Sequence, residues 1–303
     1  YIAEKHLEVI KSIKDLEVIS ITSRTNRKSK KLAKKFSINN VSENLHDLIE
    51  NNNIDALLIL VSPEEMFSII DKVISYKIPF FCEKPPSLSL AELKKLCNKV
   101  EKYKLINMVG YNRRYYSSFK KSLDIINKNG KLLGFLIEGH ERFWKVSKLV
   151  NKINRENWLY SNASHTIDLI RFFGGNIKNF SINKSSYIEK NGDQISISLK
   201  FANKVIGTYI SNWYSPGGWS VRLFGEGVTV KIKPLEEAVW YNTKMKIHPI
   251  KVDLCDIKFK PGFYNQMKAF KKLLVTGKLE HPAQDLKEIL KTYKLIKEIY
   301  NAK

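Results

Sequence analysis

The chain of 303 residues carries 52 Lys and Arg against 30 Asp and Glu, a formal net charge of +22, with 43% hydrophobic residues. That length and apolar share fit two ordinary domains with substantial cores, and no apolar run of about 18 residues or basic-then-apolar leader points to a membrane. Three scattered cysteines, Cys82, Cys97 and Cys255, argue for a reducing cytoplasm rather than a disulfide framework, and the lack of CxxC or HExxH spacing argues against a metal.

In chain order, Leu16–Ser23 reads as a strand, Ser29–Phe36 and Leu45–Asn51 as helices, and Ala56–Val61 as a buried strand. Pro63–Tyr76 reads as a helix, Pro79–Cys82 as a strand, Leu90–Lys104 as a helix and Ile106–Gly110 as a strand. Strands alternating with helices imply parallel pairing by right-handed crossovers, hence a Rossmann-type doubly wound α/β sheet over residues 1–110. Ser62-Pro63-Glu64-Glu65 and Ser89-Leu90-Ala91-Glu92 carry helix-capping patterns directly after strands. They fall at the carboxyl edge of the sheet, where such folds bind ligands.

Past Gly110 the texture changes. A helix at Ser117–Asn127, a strand at Leu132–Glu138 and a short helix at Ser164–Phe173 precede alternating runs at Gln194–Phe201, Val205–Trp213, Trp219–Phe224, Val228–Ile232 and Ala238–Asn242. Residues 111–303 therefore read as an α+β domain with a mostly antiparallel sheet, closed by helices near Tyr264–Thr276 and Ala283–Tyr300.

The positive charge invites a nucleic-acid reading. Only eight of the basic residues are Arg, however, and Arg rather than Lys supplies the planar fork for phosphate and guanine. The lysines line amphipathic stretches such as Leu93–Lys104 and Leu286–Lys303, where solvated faces are expected. Nucleic acid is not expected as a partner; the field suits small anions such as phosphates and sugar nucleotides.

A dinucleotide domain opens with a strand and a Gly-rich turn, whereas this chain runs from Tyr1-Ile2-Ala3 straight into a helical pattern, His6–Ile13. The expectation is a domain lacking its first strand, with Ile2 and Ala3 at the end of the phosphate-binding turn; the alternative is an α/β domain with no dinucleotide site. The segment Ser20–Lys28 has no carboxylate to accept from a ribose 2′-hydroxyl and offers Ser23, Arg24, Thr25 and Lys28 to a 2′-phosphate instead. NADP is thus preferred over NAD, against the plainer view of a solvated basic loop.

Phe81-Cys82-Glu83-Lys84-Pro85, Val109-Gly110-Tyr111-Asn112-Arg113-Arg114 and His165-Thr166-Ile167-Asp168 appear in that order. In these motifs the chain resembles the glucose-fructose oxidoreductase and inositol dehydrogenase family over essentially its whole length. Ser215–Trp219 and Phe259–Phe263 look like members found in surface-polysaccharide pathways. The resemblance implies a Rossmann domain followed by an open-faced sheet domain with the active site between them, cofactor contacts from Ser62, Pro63, Glu83 and Lys84, a sugar or sugar-nucleotide substrate, and a homodimer or tetramer. Three departures stand out: Ser161 where the family often has an Asp, Ala163 for a Gly, and Phe67 for a His.

Lys84 precedes two prolines, which stiffen its backbone and hold its amine in place to move a proton or stabilise an alkoxide; the alternative is one more surface lysine. His165 opens a helix capped by Asn162 or Ser161 and shares a face with Asp168, which would orient it or bind substrate; the alternative is a core histidine satisfied by Asp168. Arg113 would pair with an anionic substrate or brace the domain junction, with Arg114 structural. Asn112 would reach cofactor or substrate, Asn162 and Tyr264 substrate, and Gln266 is a weaker candidate. Trp213 and Trp219 read as sheet packing, and His140, His248 and His281 receive no role. The first function expected is NAD(P)-dependent hydride transfer on CH–OH groups with Lys84 and His165 catalytic. The rivals are a lyase or glycosidase that recycles NAD, and a cofactor-binding regulatory or scaffold protein without turnover.

Overall fold

The computed structural model describes residues 1–302; Lys303, the expected end of the last domain, lies outside them. The first part runs α1 (Ile2–Ile10), β1 (Ser20–Ile21), α2 (Asn26–Phe36), β2 (Asn40–Val41), α3 (Leu45–Glu50), β3 (Leu57–Ile59), α4 (Pro63–Ser75), β4 (Phe80–Glu83), α5 (Leu90–Lys102) and β5 (Asn107–Gly110). All pairings are parallel, but they form two separate sheets, β1-β2 and β3-β4-β5. In the common doubly wound order the first strand lies between the second and the fourth. The described strands keep parallel pairing on either side of the position between β1 and β3, as in a Rossmann-like sheet.

The split explains why β1 is shorter than the Leu16–Ser23 run. Only β2 offers it ladder hydrogen bonds, and β2, which the sequence does not announce, is itself two residues long. α2 begins earlier than expected because extended Thr25 serves as its N-cap. At α5 the capping pattern is realised: Glu92 N donates to Ser89 Oγ and Leu88 N to Glu92 Oε2, each at 3.2 Å. At α4, Ser62 takes the cap position without a side-chain bond to the helix. Glu64 instead accepts from Asn151 and Asn154 at 3.0 Å, tying the helix start to the second part of the chain.

That second part begins with a 3₁₀ turn, Asn112–Tyr115, then α6 (Ser117–Asn129), β6 (Leu132–Gly139), α7 (Phe143–Val146), α8 (Lys152–Glu156), a π turn Leu159–Ala163 and α9 (Ser164–Gly174). There follow β7 (Ile177–Ser185), β8 (Gln194–Phe201), β9 (Ile206–Asn212), β10 (Trp219–Gly225), β11 (Val228–Ile232), β12 (Ala238–Tyr241), β13 (Ile247–Ile250), α10 (Leu254–Lys258), α11 (Phe263–Thr276) and α12 (Leu286–Asn301). The eight strands form one sheet in the order β13-β12-β11-β10-β6-β9-β8-β7, antiparallel except for β6 beside β9. Its alternation buries Ile195, Ile197, Leu199 and Phe201 of β8 beneath α9, as the period-2 pattern requires. The other face stays open.

The chain finally returns to its beginning. Val109 N donates to Gln284 O at 2.8 Å and Leu286 N to Asn107 Oδ1 at 2.9 Å, so the entry to α12 is stitched to β5. α12 then packs against both α5 and α9. One hydrophobic cluster consequently runs without a break from β3 and β4 through Tyr111 into the large sheet. Among the described residues no helix is long and apolar enough to cross a membrane.

Candidate active site

Where the carboxyl end of β4 meets the π turn, Lys84 Nζ donates to Ser161 O at 2.6 Å. Part of the lysine stem is exposed, but the amine is desolvated. Burial and the positive charge of Arg113 bring its pKa down to about 8, against the opposing pull of Glu83 and Glu141. The preceding residue faces the other way: Glu83 Oε1 lies 2.8 Å from Nε2 of fully buried His6 on α1, and the imidazole packs against Phe81 and Phe263.

His165, 3% exposed, lies at the start of α9. Arg113 Nη1 stands 2.7 Å from its Nε2. A guanidinium has no lone pair to offer, so Nε2 accepts and the proton sits on Nδ1, which has no partner. Burial and the charges of Arg113, Lys84 and Lys260 push the imidazole pKa well down, so the ring is neutral. Arg113 is held by Asn112 Oδ1 at 2.9 Å and lies over the Trp219 ring, 4.9 Å from its centroid. Half-buried Lys260, whose pKa burial and Arg113 also lower, adds a third cation. Gly262 lets its segment close on the 3₁₀ turn: its φ is +79°, and a Cβ there would meet Asn112 O at 2.1 Å.

A fourth ionisable group lies just beyond β6. Glu141, 4% exposed, accepts from Asn162 Nδ2 at 2.9 Å, and its Oε1 has no partner. Burial raises its pKa to about 7. The sequence pattern does not single out Glu141, His6 or Lys260, and it favours sheet packing over a sugar-stacking platform for Trp219. The available signals were slight: Glu141 sits just past a strand end, and Lys260 lies inside the Phe259–Phe263 motif.

Of the expected residues, Lys84, Arg113, Asn162 and His165 come together, with Glu83 beside them but turned to His6. Asn112 is buried and spends both ends of its amide on protein, accepting from Arg113 and donating to Pro261 O at 3.0 Å. Asp168 turns to Arg114 rather than to His165: Arg114 grips it at 2.5 and 3.0 Å, with Gln284 Nε2 at 3.1 Å and Thr292 Oγ1 at 3.0 Å. The three-residue spacing suggested a His–Asp pair, but a bidentate guanidinium in a dry site is the stronger partner. Tyr264 stacks on Phe259 and lines a cleft with Ile13, Lys14 and Lys268; no hydrogen bond brings it to Lys84 or His165. Gln266 is fully buried with both amide atoms unpaired.

The remaining expected residues line the carboxyl edge of the parallel strands. Ser23, Arg24 and Thr25 form an exposed turn after β1 and Lys28 follows in the first turn of α2, with Arg24 3.6 Å from Glu65 at the start of α4. Ser62 and Pro63 follow β3, and Ile2 and Ala3 lie in the first turn of α1, whose Tyr1 cap offers no side-chain acceptor. Uncapped first-turn N–H groups of α1 and α4, with an exposed basic turn beside them, fit the phosphates of a dinucleotide. The orphaned donors and acceptors around Lys84 fit a polar ligand at its other end. Among the described residues no group of His, Cys, Asp and Glu is arranged to hold a metal.

A family model described as an oxidoreductase family with an NAD-binding Rossmann fold matches residues 1–111, and the C-terminal domain model of the same GFO/IDH/MocA family matches residues 138–231. The chain belongs to the GFO/IDH/MocA family. Myo-inositol 2-dehydrogenase of Thermotoga maritima is 29% identical over 127 residues, 42% of this chain and 38% of that one. The chain thus spans about half or less of the length of the first curated relatives it matches, 38% and 51%. UDP-N-acetylglucosamine 3-dehydrogenase from Acidithiobacillus ferrooxidans superposes with a TM-score of 0.77 over 100% of this chain and 94% of its own, at 13% identity. An oxidoreductase from Agrobacterium radiobacter, solved with NAD+, L-tartaric acid and magnesium, gives 0.81 over 99% and 92%, at 16% identity. At such identities the likeness is one of fold.

Proposed function

We propose that this protein is an NAD(P)-dependent oxidoreductase that transfers a hydride to or from a CH–OH carbon of a sugar or sugar nucleotide, with NADP(H) preferred. The observation that carries the reading is the desolvated Lys84 amine at the carboxyl edge of the parallel sheet, facing His165 and Arg113 from the second part of the chain. A nicotinamide bound along that edge supplies the hydride acceptor or donor. Lys84 takes the hydroxyl proton in oxidation, as the free amine, and returns it in reduction, as the ammonium. His165, neutral and protonated at Nδ1, donates a hydrogen bond to the substrate oxygen and stabilises charge that develops there.

Substrate class follows from the charge balance. Lys84, Arg113 and Lys260 converge where Glu83 is already engaged by His6, so an anionic substrate such as a sugar nucleotide or a sugar acid complements the site. The NADP preference is supported by the exposed, carboxylate-free turn of Ser23, Arg24 and Thr25 and by Lys28 at the start of α2. The open sheet face, with Ile206 and Ile247 exposed at 51% and 61%, supports self-association as a dimer or tetramer, which light scattering checks. The central test follows nicotinamide absorbance with NADPH or NADH across a panel of neutral sugars, sugar acids and sugar nucleotides. Turnover confined to the anionic members is expected; cofactor binding without turnover on any member points to a non-catalytic role.

A further inference from the structure

Glu141 is a buried acid that the fold does not explain. A carboxylate out of water is normally repaid by an ion pair or a full set of donors. Asp168, one helical turn along α9 from His165, has that repayment in Arg114, Gln284 and Thr292. Glu141 has one bond, from Asn162, no salt bridge and a free Oε1. The groups that face it are Lys84 from the end of β4, Asn162 from the π turn, Trp158 just before that turn, Trp219 from β10 and Tyr209 from β9. Lys84 is the cation among them. Trp158 Nε1 favours the charged carboxyl without completing a hydrogen bond to it.

The π turn carries both groups on consecutive residues. Ser161 O receives the Lys84 amine, and Asn162 Nδ2 holds Glu141 Oε2, leaving Oε1 free. We infer that Glu141 is the proton-exchange partner of Lys84: its free oxygen takes the proton that the lysine has collected from the substrate hydroxyl, and gives it back in the reverse direction. Because no ion pair joins Lys84 Nζ to Glu141, the proton crosses on one bridging water: an Nζ–H bond and a water O–H bond break, a water O–H bond and the carboxyl O–H bond form, and the water is left unchanged. An ammonium and a carboxylate become an amine and a carboxyl, so no net charge enters or leaves the site and no other reactant is needed. Burial, which raises the Glu141 carboxyl to about 7 and lowers the Lys84 amine to about 8, brings donor and acceptor close to balance. Glu141 acts through Lys84 and is a positioning residue for the proton, an inference that rests on the proposed role of that lysine.

The test needs neither substrate nor cofactor. Acetylation of Lys84 by limiting acetic anhydride is followed against pH, with the modified peptide quantified by mass spectrometry. In the unaltered protein the midpoint is expected near 8. In Glu141→Gln the ammonium loses its negative neighbour and the midpoint falls by about one unit, whereas Glu141→Asp stays near the starting value. An unchanged midpoint in Glu141→Gln overturns the inference and leaves the lysine's role standing. A midpoint at the ordinary lysine value of about 10.4 in the unaltered protein removes both. Should Glu141→Gln not fold, infrared titration of the unaltered protein decides the matter. A protonated carboxyl band that disappears with a midpoint near 7, and shifts in frequency in Glu141→Asp, is expected, and its absence overturns the inference.

Discussion

Helix α9 borders two buried polar clusters built on opposite rules. Around Asp168 the account closes: the carboxylate accepts four hydrogen bonds from three side chains, two of them from Arg114, and only Gln284 Oε1 of that set is left over. Around His165 it stays open, with His165 Nδ1, Arg113 Nε and Glu141 Oε1 all buried and unpaired. The closed cluster cements α9 to α12 and to the 3₁₀ turn. The open one keeps donors, acceptors and a surplus of positive charge at the end of the parallel strands. Two histidine- or aspartate-bearing positions three residues apart thus differ in what they are for, and hydrogen-bond satisfaction, rather than burial, separates them.

The sharpest way to break this comparison is Lys84→Ala. Turnover should fall by about 10²–10⁴-fold while the unfolding midpoint barely moves. On the proposed reading, oxidation by the unaltered protein should quicken as pH rises through about 8, where Lys84 loses its proton, and reduction should slow over the same range. Flat profiles across that range argue against a lysine proton carrier. The closed cluster should respond in stability instead: Asp168→Ala leaves Arg114 buried and unpaired and should cost about 3–5 kcal/mol in a denaturant titration. Retention of stability there would erase the distinction between the clusters.

Arg113→Met is a smaller perturbation. It removes a charge-assisted bond worth about 1.5–3 kcal/mol and should raise KM for an anionic substrate about tenfold or more. It should also move the His165 titration, followed by NMR, up toward the usual imidazole range, because Arg113 is the first charge holding it down. The smallest effect is expected at the exposed turn, where Arg24→Asp should weaken NADPH about tenfold and leave NADH nearly unchanged, read by fluorescence titration.

The sequence announced the parts of the fold whose cause is local. Capping at Ser89 and Glu92, the buried runs of β3 to β5 and the period-2 strands β8 to β11 all read correctly. β7 was missed because it is an edge strand with most of its side chains exposed, so no apolar alternation marks it. The short helices α7, α8 and α10 are only four or five residues long and lack a periodic stripe. Lys84, Arg113 and His165 were legible as a motif set, and the structure brings them together. The partners of Asp168 were not legible, because Arg114, Gln284 and Thr292 reach it across 54 to 124 residues of chain. Glu141 was invisible for a related reason. Between His140 and Arg142 it looks like any solvated charge, and only the fold buries it.

The chain leaves the middle of the large sheet at Gly139 and re-enters it at the far edge, at Ile177 of β7, before working back through β8 and β9 to lie beside β6. Glu141, Ser161, Asn162 and His165 all ride on that single excursion, whose two ends are moored on different strands of one rigid platform. The Rossmann half contributes Lys84 alone to meet them. Such an arrangement behaves as a cartridge. The stretch from 140 to 176 holds all four groups on one piece of chain, while other residues set the strand order beneath it.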